Sequence, residues 1–205
     1  DITGIATVDR VGHSVSISAD GTIIAVGAPL QAGTNGADTG IVRVYEYNSG
    51  NDTWDQKGGN IEGQTAASYN GFSVSLSSDG TIVATGSKND SKVRIFRFVN
   101  NDWSQIGSDI DGDKTSDGTG AAKSLSSNGE IIAIGDIDWE PISTFSSIGR
   151  VRVFEYNNNG GSEFWTQLGV DIEGGVAKFD DFGEALSLSG DGTTLAVGAQ
   201  DNDNN

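Results

Sequence analysis

The stretch SVSISADGTIIAVGA, from Ser14 to Ala28, returns three more times along the chain. It reads SVSLSSDGTIVATGS from Ser73, AKSLSSNGEIIAIGD from Ala122 and ALSLSGDGTTLAVGA from Ala185. Gly12, Gly71, Gly120 and Gly183 each stand two residues ahead of a copy, and Gly21, Gly80, Gly129 and Gly192 mark the same turn within each. Self-similarity of this kind is the signature of a repeat architecture. A second block follows in three copies, as VRVYEY from Val42, VRIFRF from Val93 and VRVFEY from Val151. A third is anchored by Trp54, Trp103 and Trp165 and reads WDQKGGNIEG, WSQIGSDIDG and WTQLGVDIEG. The opening DITG at Asp1 matches the tail of this third block. The repeats therefore occupy residues 1–59, 60–108 and 109–170, with a partial fourth at 171–205.

Each repeat reads as four strands. Ser73, Ser75 and Ser77 alternate with Val74 and Leu76, the period of a strand with one polar face. The Asp-Gly that follows tolerates positive φ and signals a hairpin. TIVATG is almost continuously apolar, so it should be buried on both faces, with Ala84 leaving room for close packing. VRIFRF supplies a third strand with Arg94 and Arg97 at its polar positions, and the Trp block a fourth. The in-register tryptophans should pack between neighbouring sheets, where a large aromatic buries most area. A repeated four-stranded antiparallel sheet is the unit of a β-propeller. One such sheet cannot bury both faces alone, so blades must stack. The sequence thus predicts an all-β fold, a partial β-propeller of about three and a half four-stranded blades. A β-solenoid, the alternative, needs shorter periods than these repeats of about fifty to sixty residues.

Composition narrows the function classes. The chain of 205 residues carries a net charge of −17, which argues against nucleic acid and against an anionic membrane surface. No apolar run approaches the ~20 residues that span a membrane. With no Cys there is no disulfide framework or thiolate chemistry. The chain opens inside a repeat without a signal-peptide pattern, which reads as a processed or truncated start. Three and a half repeats are too few to close a ring. Further repeats of a longer chain, or of another copy, should complete it, and an open stack is the third possibility.

The repeats resemble the integrin-α-type FG-GAP family, in the divergent form of large surface and secreted proteins. Gly71-Phe72-Ser73-Val74 and Phe182-Gly183-Glu184-Ala185 are similar to its FG element, and Gly27-Ala28-Pro29 to its GAP element. The resemblance covers essentially the whole chain. It implies a propeller, extracellular or cell-surface placement, and a role in adhesion or ligand recognition. The family's calcium loop is not matched. It has shrunk to Ala19-Asp20-Gly21 and its equivalents, and one carboxylate cannot supply the six to eight oxygens calcium takes.

Catalytic groups are sparse. His13 is the only histidine, at a position where the other copies have Phe72, Ala121 and Glu184. A Ser-His-Asp triad would have to use it, and the adjacent Ser14 recurs as a strand-face residue in a copy without histidine. The expectation is therefore a non-catalytic module for adhesion, protein–protein interaction or structural assembly, not an enzyme. Its partners would be proteins or glycans at the cell surface or matrix, with no nucleic acid and no membrane insertion. The alternatives are a calcium-dependent, lectin-like binder and the accessory propeller of a larger secreted enzyme. Ca2+ is the one cofactor considered, with Asp111, Asp113 and Asp117 as its candidate ligands in the densest acidic loop. Trp139, in the Trp139-Glu140-Pro141 insertion, is a candidate ligand contact or else a lid tucked on its blade. Asn51 and Asn89 open Asn-x-Ser/Thr sequons in polar loops and are candidate glycosylation sites.

Overall fold

The computed structural model describes residues 2–4, 6, 8–141, 147–174 and 181–200. The first blade runs β1 (Ser14–Ile17), β2 (Ile23–Ala28), β3 (Ile41–Asn48), β4 (Thr53–Gln56) and β5 (Ile61–Glu62). The second runs β6 (Asn70–Leu76), β7 (Ile82–Ser87), β8 (Lys92–Val99), β9 (Asp102–Gln105) and β10 (Ile110–Asp111). In the third come β11 (Thr119–Leu125), β12 (Ile131–Asp136), β13 (Arg150–Asn159), β14 (Ser162–Gln167) and β15 (Ile172–Glu173). The hairpin of β16 (Phe182–Leu188) and β17 (Leu195–Ala199) begins a fourth. β4 and β5 pair with the same edge of β3, as β9 and β10 do with β8, and β14 and β15 with β13. They are one outer strand interrupted by a kink, so each complete blade is the predicted four-stranded antiparallel sheet.

The blades lie side by side through their first strands, in the order β1, β6, β11, β16. A serine on each first strand reaches the next: Leu76 N–H donates to Ser16 Oγ at 2.9 Å, Leu125 N–H to Ser75 Oγ at 3.0 Å and Leu188 N–H to Ser124 Oγ at 3.0 Å. The alternate serines of the sequence are thus the ties between inner strands. At the hairpin tips the main chain does the same, with Ala19 N–H on Ser78 O, Ser78 N–H on Ser127 O and Ser127 N–H on Gly190 O, each at 2.8 Å.

Between blades lie apolar seams. Ile23, Ala25, Val42, Val44 and Ile61 of the first blade meet Val74, Leu76, Val83 and Phe96 of the second. Ile82, Ala84, Val93, Ile95 and Ile110 then meet Leu125, Ile132, Ile134 and Phe154. β7 is buried along its whole length, as its unbroken apolar run requires. The tryptophans clasp the preceding blade from outside. Trp103 Nε1 donates to Lys57 O at 2.7 Å and Trp165 Nε1 to Ile106 O at 3.0 Å. Each leans on the aromatic opposite it, Phe98 at 5.2 Å and Tyr156 at 5.4 Å between centroids.

Two glycines per seam let the sheets approach. The first strand bulges between Asn70 and Ser73 and between Thr119 and Ala122, where Gly71 and Gly120 take φ of +83° and +82°. The bulge carbonyls then press on Gly27 and Gly86, where a Cβ would collide with Gly71 O and Gly120 O. Gly86→Ala should therefore cost ~3 kcal/mol or prevent folding. A denaturation midpoint read against Gly50→Ala, in an exposed hairpin, checks this.

Polar positions of the third strand are not all solvated. Arg43, Arg94 and Arg152 are buried at the upper ends of the seams. Arg94 donates to Glu62 O and Arg152 to Asp111 O at 3.0 Å, each reaching the outer strand of the blade before it. Arg43 instead donates to Gln31 Oε1 at 2.8 Å and Asn60 Oδ1 at 3.1 Å.

Candidate functional site

The bulge at Gly71 and Phe72 is followed on the inner strand by Ser73, which faces the third blade. Its hydroxyl donates to Gly120 O at 2.6 Å, just as Ser14 donates to Gly71 O at 2.8 Å one seam earlier. The seams differ in what lies beside that serine. Val15, Val74 and Leu186 occupy one position of the repeat, and Lys123 occupies it in the third blade. Its Nζ reaches Ser73, donating to the main-chain oxygen at 2.6 Å and to Oγ in a very short contact. Lys123 is 8% exposed, and among the described residues it makes no ion pair. Burial pushes its ammonium well below the ordinary lysine range. A desolvated amine on a serine hydroxyl is the pairing that activates a serine nucleophile in Ser-Lys acyl-transfer chemistry.

Phe72, next to Ser73, lies at the loop end of the seam. The exposed His13 ring packs on it at 4.8 Å and Lys88 Nζ lies 5.1 Å from its centroid. Asp138 stands close by. Burial raises its carboxyl above the ordinary range, Lys88 opposes this, and repulsion from Asp181 and Asp117 adds to it.

The structure disperses the three candidate calcium ligands. Asp111 faces Lys92 at 3.6 Å. Asp113 is held by Arg150 at 2.8 Å, and that hydrogen bond keeps its carboxyl below the ordinary range. Asp117 is buried, with Oδ2 accepting from Lys114 N–H at 2.9 Å. Among the described residues no three acidic or histidine side chains are grouped to hold a metal ion. Trp139 is a correction to the ligand-contact expectation. It is 7% exposed, with the Arg150 guanidinium 4.8 Å over its ring, so it is a lid on its blade. The arginine stacks there because three carboxylates, Asp113, Asp136 and Asp171, hold it from the other sides. Asn51 and Asn89 are both exposed, and Thr53 Oγ1 donates to Asn51 Oδ1 at 2.6 Å.

Sequence reasoning missed the Lys123–Ser73 pair. The signal was present as a lysine in AKSLS, where the other copies carry an apolar residue. Its partner lies 50 residues away, so only the stacking of blades joins them.

No protein-family model matches the chain. No curated protein matches it by sequence. Solved structures do. A protein from Bacteroides uniformis described as a candidate 6-phosphogluconolactonase superposes with a TM-score of 0.60 at 16% identity, over 95% of this chain and 50% of that one. One similarly described, from Bacteroides fragilis, gives 0.55 at 16% identity, over 89% and 46%. Hydrazine synthase from Kuenenia stuttgartiensis gives 0.56 at 12%, over 96% and 45%. The fold is a β-propeller fold. This chain spans about half the length of each of these neighbours. The likeness corrects the expectation of a non-catalytic adhesion or assembly module, because the architecture is one carried by chains named as enzymes. With it goes the inference that sparse triad residues mark a non-enzyme, since a serine–lysine pair needs no histidine.

Proposed function

We propose that the chain carries a serine–lysine acyl-hydrolase site at the seam of its second and third blades, and that its substrates are lactones. The observation that carries this is the buried Lys123 amine on Ser73 Oγ. Once the Ser73 hydroxyl turns from Gly120 O to Nζ, the neutral amine takes its proton as Oγ attacks the lactone carbonyl carbon. The ring C–O bond breaks, and the departing alkoxide takes the proton from Lys123. An acyl-serine remains, with the ring opened. Water, deprotonated by the same amine, then displaces Ser73 and releases a hydroxy acid. Burial of Lys123 supplies the neutral amine at a pH where an exposed lysine would be charged. The fold shared with candidate lactonases supports the choice of a cyclic ester over other acyl compounds. Lys88, at the rim, suits a substrate bearing an anionic substituent.

The test is hydrolysis of a sugar 1,5-lactone and its 6-phosphate by the full chain, followed by acid release. Turnover should fall by about 10³-fold or more in Ser73→Ala, with the fold retained. It should rise with pH through the depressed lysine range and then level off. Equal rates in Ser73→Ala, or no turnover by the folded chain, overturn the reading.

A further inference from the structure

The two complete seams differ at a second place, beside Gly63 in one and Gly112 in the other. In the first, Ser68 and Asn70 are both fully buried, and both donate hydrogen bonds. Ser68 Oγ–H reaches Thr39 O at 2.7 Å and Asn70 Nδ2–H reaches Ile61 O at 2.8 Å. Ser87 Oγ–H completes the group on Asn70 Oδ1 at 3.3 Å. In the second seam, Asp117 and Thr119 hold the equivalent positions and are equally buried. A donor hydroxyl has become a carboxylate, and a long amide has become a shorter hydroxyl. Asp117 Oδ1 and Thr119 Oγ1 have no hydrogen-bond partner. Both residues flank Gly112, where a Cβ would collide with Thr119 Oγ1 and lie 3.1 Å from Lys114 O and 3.3 Å from Asp117 Cβ.

We propose that this cradle binds an alkali-metal cation, coordinated by the two orphaned oxygens Asp117 Oδ1 and Thr119 Oγ1. A carboxylate without a counter-charge is among the costliest groups to bury, and among the described residues Asp117 makes no ion pair. One carboxylate with an orphaned oxygen beside a neutral hydroxyl matches a monovalent ion, and burial holds the nearby Asp138 carboxyl above its ordinary range. Calcium takes six to eight oxygens and is usually met by several carboxylates. The first seam needs no ion, since its donors satisfy one another. The assignment stands apart from the serine–lysine reading, because its readout is thermal stability.

The test is thermal melting of the full chain in sodium, potassium or choline chloride at matched ionic strength. Sodium or potassium should raise the midpoint saturably by about 3–6 °C over choline. The double variant Asp117→Ser with Thr119→Asn copies the first seam. It should fold, melt at or above the native chain in choline and lose the alkali-metal increment. Asp117→Asn alone should lose the increment as well. Equal midpoints in choline and alkali chloride would leave only water on these oxygens and overturn the proposal. So would an increment that survives in the double variant, or stabilisation by micromolar calcium in place of sodium.

Discussion

Lys123→Met melts higher than the native chain at pH 7 and has no lactone turnover; that is the expected result with the widest consequence. The lysine stands where three other copies place Val15, Val74 and Leu186, in a seam built of isoleucine, valine and phenylalanine. Methionine keeps the stem and removes the amine. Replacing buried charged groups with apolar ones of like volume often stabilises by about 1–4 kcal/mol. The pH dependence fixes the cause. The folded chain holds the Lys123 proton less tightly than the unfolded chain, whose lysine titrates near the ordinary 10.5. Between the two pKa values the unfolded state binds more protons, so the native chain gains stability as pH rises. The advantage of Lys123→Met is therefore largest below the folded pKa and closes as pH approaches 10.5. Melting curves from pH 6 to 10.5 measure this directly. A variant that melts lower at every pH would make the amine a structural tie on Ser73 O. Higher stability with lost turnover would identify a site whose chemistry is maintained against folding stability.

Asp136→Ala should be the most damaging loss of a single charged side chain, at about 3–5 kcal/mol. Asp136 is fully buried at the end of β12. Its Oδ2 accepts from Arg150 Nε at 2.7 Å and from Arg152 Nε at 2.8 Å, and its Oδ1 from Arg152 Nη2 at 3.2 Å. Removing it leaves two guanidiniums, both buried, facing each other without the carboxylate between them. Asp113 and Asp171 still hold Arg150, while Arg152 keeps only its bond to Asp111 O among those shown. At 2–4 °C per kcal/mol for a chain of this size, the midpoint should drop by roughly 10 °C. Glu46→Ala is the contrast. Its pairing with Lys57 at 2.8 Å is exposed on the glutamate side, and its loss should cost less than about 1 kcal/mol. Equal midpoints for the two variants would show that burial does not set the strength of the network.

Much of the fold was legible because each blade repeats the same local instructions. The Ser-x-Asp-Gly-Thr hairpins read correctly since their bonds close within five residues. Asp79 Oδ1 accepts from Ser77 Oγ–H at 2.7 Å and from Thr81 N–H at 2.9 Å, as Asp191 does for Ser189 and Thr193. Those bonds hold the Asp191 carboxyl at about 2, led by the one from Ser189. The tryptophans were legible as a repeated structural residue, but Trp103 and Trp165 clasp the preceding blade from outside and do not lie between the sheets. Trp139 left two readings open, a contact or a lid, since it has no repeat to compare with and its burial depends on Arg150, whose own position is set by carboxylates from two blades.

Sequence alone determined the blade, its strand order, its hairpins and the need for like neighbours, because period-two patterning and turn chemistry act over a few residues. Tertiary structure alone decided what each seam contains. Lys123 meets Ser73, Arg152 meets Asp111 O, and Asp117 and Thr119 meet at Gly112, only where β11 and β13 stack on the blade before them. Burial and electrostatic pairing operate through space. A residue that breaks the repeat announces that a seam is different, and the facing blade determines what chemistry the difference makes.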